Sequence, residues 1–297
     1  NLRDRLPGLP ALGERLFGLA RRPLPRWRRD TFLRAMPRTP PAAPGDADVL
    51  LLADCFDNHF EPENLHAAMR VLTAAGSRVA VARPAAGDPR PSRPLCCGRS
   101  LLAAGLVDEA RAEAARTVAA LAPFVERGAV VVGLEPECLL TMRDEYLALG
   151  LGEPARRLAG AALLLEEFLV REQAAGRPGP RFGAPPWTRA VLHGHCHQHA
   201  FDAVRPAQAL LAQVPGLAVD SVAPGCCGMA GGFGYAAANR EVSDRMAGLA
   251  LLPALQAAPS DAVIVADGFG CRRQVADAAG GPARHPAPGR AAPPAHR

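Results

Sequence analysis

The sequence contains no lysine: all 34 of its lysine-or-arginine positions are arginine, and against 29 acidic residues they leave a formal charge of +5. A basic balance suits nucleic acid or an acidic surface when the charge is gathered into a patch with aromatic residues among it. Here the arginines are scattered and aromatics make up 5% of the chain, so nucleic acid is set aside as a partner. A membrane span needs an apolar run of roughly eighteen residues or more. None occurs, and the nearest, Leu158 to Val170, is interrupted by Glu166 and Glu167. The opening Asn1-Leu2-Arg3-Asp4-Arg5 has neither a methionine nor a charged segment followed by an apolar one, so secretion is not expected and a piece of a longer protein is. Also missing is any C-x-x-C pair, which removes the usual zinc knuckle and the ferredoxin-type run.

What is present is an ordered set of eight cysteines. Pro224-Gly225-Cys226-Cys227-Gly228-Met229-Ala230-Gly231-Gly232-Phe233-Gly234 sets two thiols side by side, and Leu95-Cys96-Cys97-Gly98 repeats its core earlier in the chain. Single cysteines flank each pair, Cys55 and Cys138 around the first, Cys196 and Cys271 around the second. Without a secretory signal a disulfide framework is a poor reading of these thiols. Metal or redox chemistry is the better one.

Between the cysteines the pattern is strand, helix, strand, helix, strand, twice over. Strands are expected at 48–54, 78–82 and 129–134, then at 190–193, 217–222 and 262–266. Helices are expected from Pro62 to Gly76, from an N-cap at Asp108 through Glu126, over 154–174 and 206–214, and from an N-cap at Asn239. Short continuous apolar runs such as Asp48-Val-Leu-Leu-Leu-Ala-Asp54 suit strands buried on both faces of a parallel sheet. The fold expected is α/β: two tandem, related three-layer domains with mainly parallel sheets and a pseudo-twofold duplication. The boundaries are a helical, Pro-rich connector over 1–44, a first cysteine-rich domain with a linking helix over 45–182, a second over 183–277, and a disordered tail over 278–297. In a parallel sheet the loops at the carboxyl ends of the strands line the crevice, so the four thiols of one repeat can converge on one rim.

Four thiolates around one point suit zinc or an iron-sulfur cluster, and long spacings with adjacent cysteines allow neighbouring thiolates to bind different irons. Buried structural cysteine is the alternative for any single one. His193, His195, His197 and His199 alternate around Cys196 and in an extended segment would share one face. His195 and His197 are candidates to ligate or to hydrogen-bond the sulfurs, whereas His193 and His199 read as structural. Asp54, Asp57, His59, Glu135 and Glu137 flank the first site as weaker candidates, and Gly231-Gly232-Phe233-Gly234 departs from the phosphate-binding G-x-G-x-x-G order.

Cys55...Cys96-Cys97-Gly98...Cys138 and Cys196...Cys226-Cys227-Gly228...Cys271 resemble the duplicated cysteine-rich CCG domain found in heterodisulfide reductase and in the iron-sulfur component of glycolate oxidase. Phe60-Glu61-Pro62-Glu63-Asn64-Leu65, Gly133-Leu134-Glu135-Pro136-Glu137-Cys138, His193-Gly194-His195-Cys196-His197-Gln198 and Val265-Ala266-Asp267-Gly268 resemble the C-terminal part of fused FAD-linked oxidases of the D-lactate and D-2-hydroxyglutarate dehydrogenase type. The resemblance covers roughly residues 10–277. It implies an iron-sulfur module of the 4Fe-4S kind, the noncubane form included, with all eight cysteines as ligands and His195 and His197 beside them. It further implies electrons arriving from FAD on a missing portion or partner subunit, through a ferredoxin-like portion, and leaving for a quinone or another acceptor. Such a module is an oxidoreductase component with no catalytic residue of its own, inactive alone, cytoplasmic or peripheral at the inner face of the membrane. One departure is that each repeat of heterodisulfide reductase ends in C-x-x-C, where this chain has Glu135 and Gly268 three residues before Cys138 and Cys271. A zinc-bound or metal-free docking module, or thiol-disulfide chemistry at the Cys-Cys pairs, are the other readings. If one repeat alone is loaded, the second is favoured by its glycine-rich loop and its histidines.

Overall fold

The computed structural model describes residues 3–37, 43–279 and 283–286. The chain is α/β and divides into two compact units, each with a sheet of parallel strands.

The unit made of residues 30–183 has four strands: β1 (Val49–Leu51), β2 (Val79–Val81), β3 (Val130–Gly133) and β4 (Ala162–Leu164), in the order β2-β1-β3-β4. Val49 pairs with Val79 on one side and with Val130 on the other. The central strand is the buried one, with Val49, Leu50 and Leu51 at most 1% exposed, as its unbroken apolar run requires. Leu65, Leu72, Leu121, Leu139 and Leu158 from the surrounding helices complete the core, each stabilising by roughly 1.5–3 kcal/mol through burial. β4 corrects the expectation of one helix over 154–174: the chain makes a helix Gly152–Ala161, a strand at Ala162–Leu164, and a second helix Leu165–Ala174. Alanine and leucine favour helix locally, and pairing of Val131 with Ala162 at the sheet edge overrides that preference. The helix expected from Asp108 begins at Val107, and Asp108 lies in its first turn rather than capping it.

The other unit joins residues 1–29 to 184–286. Its strands β5 (Arg189–His193), β6 (Ala218–Ser221) and β7 (Val263–Ala266) run in the order β6-β5-β7, the same central-strand topology as β2-β1-β3. Of the expected tail, residues 280–282 and 287–297 lie outside the described residues, whereas Arg284 bridges Val265 in parallel, beside β7 as β4 lies beside β3. Its guanidinium sits 4.7 Å from the Trp187 ring.

The N-terminal segment is part of this unit's core. Ala20 N–H donates to Tyr235 O at 2.8 Å and Ala237 N–H to Gly18 O at 2.7 Å, so residues 18–20 strap the loop that follows Cys226-Cys227. Arg22, with its side chain 1% exposed, donates to Ser243 Oγ at 3.1 Å and to Gln274, and pairs with Asp244 at 2.5 Å and Asp277 at 3.1 Å. Removing one partner of a buried, hydrogen-bonded charge network costs about 3 kcal/mol or more. Arg22→Ala is therefore expected to lower the unfolding free energy by about that amount in a urea titration. The exposed Arg15→Ala should stay within about 0.5 kcal/mol of the parent.

Candidate metal centres

In each unit the cysteines occupy corresponding places. Cys55 opens a short helix, Cys55–His59, just after β1, and Cys138 is in the first turn of Pro136–Arg143, just after β3. Cys196 opens Cys196–Ala200 after β5, and Cys271 is in the first turn of Phe269–Ala279 after β7. Chain leaving a parallel strand at its carboxyl end turns at once into helix, so the first-turn thiols of two neighbouring strands are carried to one end of the sheet.

The adjacent pairs are brought in by a glycine turn. Gly98 and Gly228 adopt φ of 79° and 85°, left-handed values that glycine accepts freely. The turn points each glycine N–H back at the first sulfur of its pair, Cys96 Sγ at 3.4 Å and Cys226 Sγ at 3.3 Å. Both glycines also abut the backbone of the fourth residue of a following helix. A Cβ on Gly98 would lie 3.0 Å from Ala110 O in Val107–Val125, and one on Gly228 would collide with Ser243 O in Arg240–Leu249. The long loop before Cys96 is held by Arg116, which pairs with Asp88 at 2.6 Å and donates to Pro94 O at 2.9 Å. Thr117 Oγ1 donates to Cys96 O at 2.9 Å.

The thiols meet in both units. In the first, Cys55 and Cys97 hydrogen-bond to Cys96 and hold it at about 2, while Cys55 is pushed up by that contact and burial, and Cys97 by its contacts with Cys138 and then Cys96 and by burial. Cys138 shares a hydrogen bond with Cys97, which lowers it, but burial and the nearby Asp54, Cys55 and Glu135 carry it above the ordinary thiol value. In the second unit Cys196 and Cys227 hold Cys226 at about 2 and are themselves pushed up. Cys271 behaves unlike Cys138: its contact with Cys227 and the neighbouring imidazoles of His193 and His195 hold it well below the ordinary value against the cost of burial.

That contrast comes from the residues between the sulfurs. Beside the first cluster stand two carboxylates that cap the cysteine-bearing helices. Asp54 Oδ1 accepts from Phe56 N–H at 2.8 Å and from Asp57 N–H at 3.0 Å, and Glu135 accepts from Glu137 N–H at 3.4 Å. Burial, and then Glu135, push Asp54 up to about 6. Of the other acidic candidates, Asp57 accepts from Asn64 at 2.8 Å and belongs to the helix packing.

Beside the second cluster stand imidazoles. The four histidines do not share a face, because the chain turns from strand to helix at Cys196. His195 becomes the N-cap of Cys196–Ala200: its Nδ1 accepts from His197 N–H at 3.2 Å, and its own N–H donates to Gln198 Oε1 at 2.9 Å. Its ring covers Gly268, where a Cβ would come within 2.5 Å of His195 Cδ2 and 3.2 Å of Cys271 Sγ. His197 stacks edge-on to His195 with ring centroids 5.2 Å apart. His193, which the sequence pattern assigned to strand termination, ends β5 at 1% exposure, and one of its nitrogens lies with Cys227 and Cys271 sulfurs in a group whose atoms are all within 4.8 Å of one another. The sign available in the sequence was its place as the last strand residue before the cysteine helix. In the Gly231–Gly234 stretch, Gly234 is packed tightly, a Cβ there lying only 2.7 Å from Met229 Sδ and 2.9 Å from Ser243 Oγ.

Fold and site together define an α/β protein with two four-thiol clusters, each built at the carboxyl ends of parallel strands. No family model matches the chain. It is similar to one of the subunits of anaerobic glycerol-3-phosphate dehydrogenase from Escherichia coli (strain K12), at 27% identity over 257 residues, covering 86% of this chain and 61% of that protein. It is also similar to D-2-hydroxyglutarate dehydrogenase of Escherichia coli (strain K12), at 34% identity over 178 residues, covering 58% of this chain and 17% of that one. The same enzyme of Pseudomonas putida matches at 27% over 246 residues, 81% of this chain and 22% of that one. The chain thus spans about three-fifths of the first relative and about a fifth of the dehydrogenases.

Because His195 and Cys271 fill the space over Gly268, Gly268→Ala is expected to destabilise the metal-free protein by about 1–3 kcal/mol. Gly232→Ala, with φ of −85° and open space around it, should change stability by about 0.5 kcal/mol or less. Urea denaturation of the two variants in parallel checks this.

Proposed function

We propose that the chain is an iron-sulfur electron-transfer component of a dehydrogenase, working with a flavin-bearing portion or subunit. The observation that carries this reading is the meeting of four thiols at the end of each sheet, with Cys96, Cys226 and Cys271 held in the thiolate range. Soft thiolate donors select zinc or iron-sulfur centres, and the thiolate is the ligating form. Cys55, Cys96, Cys97 and Cys138 would hold one centre, and Cys196, Cys226, Cys227 and Cys271 the other. Such a centre supplies one-electron transfer. The chain's own contribution is to bury Cys97, Cys138, Cys227 and Cys271, to fix the adjacent pairs with the glycine turns, and to set the local charge through Asp54 and Glu135 in one site and His193 and His195 in the other.

The relatives support a place in this class, since their names describe dehydrogenases acting on small anionic hydroxy compounds. In this reading the substrate is a 2-hydroxy acid or a related anionic alcohol, its hydride goes to FAD outside this chain, and a ferredoxin-like portion passes the electrons on. The acceptor is a quinone or another carrier. No helix among the described residues is long and apolar enough to cross a membrane. In this reading the component works in the cytoplasm, or peripherally at the inner face of the membrane beside a quinone pool. A zinc ion in the first site is the second reading, favoured by buried Asp54, whose Oδ2 has no hydrogen-bond partner and offers an oxygen ligand of the kind zinc accepts.

Anaerobically reconstituted protein is expected to contain iron and acid-labile sulfide in near-equal amounts, with Cys226→Ser and Cys96→Ser each losing the share of one site. Zinc in the Cys96 site with iron in the other would favour the second reading for that site alone. Zinc in both, or no metal after reconstitution, would overturn the electron-transfer function.

A further inference from the structure

The second cluster contains a nitrogen donor for which the fold has no other use. His193 closes β5, pairs in register with Ala266 of β7, and is 1% exposed. Neither Nδ1 nor Nε2 has a hydrogen-bond partner of good geometry. A buried polar group left without a partner costs about 1–3 kcal/mol, so an imidazole is rarely kept in such a place unless something engages it. What it faces is sulfur: a ring nitrogen, Cys227 Sγ and Cys271 Sγ lie within 4.8 Å of one another, and all three residues are buried. Donors bound tetrahedrally at about 2.0–2.3 Å stand roughly 3.3–3.8 Å apart, so the three atoms need close by little more than an ångström to share one ion.

The neighbouring histidines are differently employed. His195 is fixed as a helix cap through Nδ1 and lies over Gly268. His197 lies within the helix that His195 caps. The first unit supplies an internal comparison: the residue two before its capping Asp54 is Leu52, buried at 3% and without a donor atom, where the second unit has His193 two before its capping His195.

We infer that His193 is a direct ligand of the metal centre held by Cys196, Cys226, Cys227 and Cys271, which makes the second centre a mixed thiolate-imidazole site. This rests on the reading of the cysteines as metal ligands. A neutral imidazole in place of a fifth anionic donor lowers the negative charge on the centre, and nitrogen ligation of iron-sulfur centres accompanies higher reduction potentials.

The test uses the full chain, reconstituted with iron and sulfide in a Cys96→Ser background that removes the first centre, and brought to its paramagnetic state. Directly bonded nitrogen is read by electron-nuclear double resonance on protein labelled with 15N-histidine. A coupling of the size of a bonded nitrogen is expected, lost in His193→Ala and in His193→Cys. His193→Cys should keep its iron by offering a thiolate, while His193→Ala should give up iron to a chelator about ten- to a hundredfold more readily. Far-ultraviolet circular dichroism establishes that each variant is folded. Iron and sulfide bound at the second centre without such a coupling, or a coupling that persists in folded His193→Ala, would overturn His193 as a ligand and leave the electron-transfer reading standing. A failure of the second centre to take up iron and sulfide would overturn both.

Discussion

Everything in each unit is arranged around one constraint, the gathering of four sulfur atoms at the end of one sheet, two of them buried and two nearer the surface. Thiolates repel one another and are costly to bury, so four of them cannot simply be left facing each other. The structure meets this by sharing protons: one sulfur of each adjacent pair is held as thiolate and its neighbours donate to it. The glycine after the pair supplies a further donor from the main chain, which only a left-handed turn can aim back at the sulfur. The short strands, the helices that begin within a few residues of them, and the tight approach of each glycine to a helix backbone all serve to close that geometry.

With the sulfur frameworks alike, the two sites are told apart by what caps the helices. Carboxylates at Asp54 and Glu135 oppose a further negative charge and carry Cys138 upward, while imidazoles at His193 and His195 draw Cys271 down. A duplicated scaffold thus holds two different electrostatic surroundings, carboxylates beside Cys138 and imidazoles together with the buried Asp267 beside Cys271. Two centres on matching thiol frameworks would then differ in potential through the groups added beside the sulfurs, His193 among them, which is the lever a chain of electron carriers needs.

Much of this was legible in the residues. The alternation of apolar runs with helical spacing gave parallel strands, and the matched cysteine sets pointed to their carboxyl ends. The strand β4 was hidden because Ala162-Leu163-Leu164 sits within residues of high helix propensity, and its pairing with β3 is a long-range event. Local sequence also could not show the histidine faces: an alternating run suggests a strand, and the turn into helix at Cys196 depends on His195 and Gln198 capping each other. Arg22 looked like one more arginine in a proline-rich connector. Its role needs Ser243, Asp244, Gln274 and Asp277, residues that only the folded chain brings to it.

The unit of residues 30–183 is inserted within the sequence of the other, whose parts are 1–29 and 184–286. Emerging from the ribosome, the inserted unit has all four of its cysteines and all of its strands in hand while the rest is still being made. The enclosing unit has to wait, since Arg22 cannot meet Gln274 until a further 252 residues of chain exist. Closure over so long a separation is slow. Throughout that interval Cys196 and then Cys226-Cys227 stand in unassembled chain, open to oxidation and to whatever metal is at hand. The two thiol clusters therefore have different histories of assembly, and the later one depends more on a reducing environment to keep its sulfurs reduced until they meet.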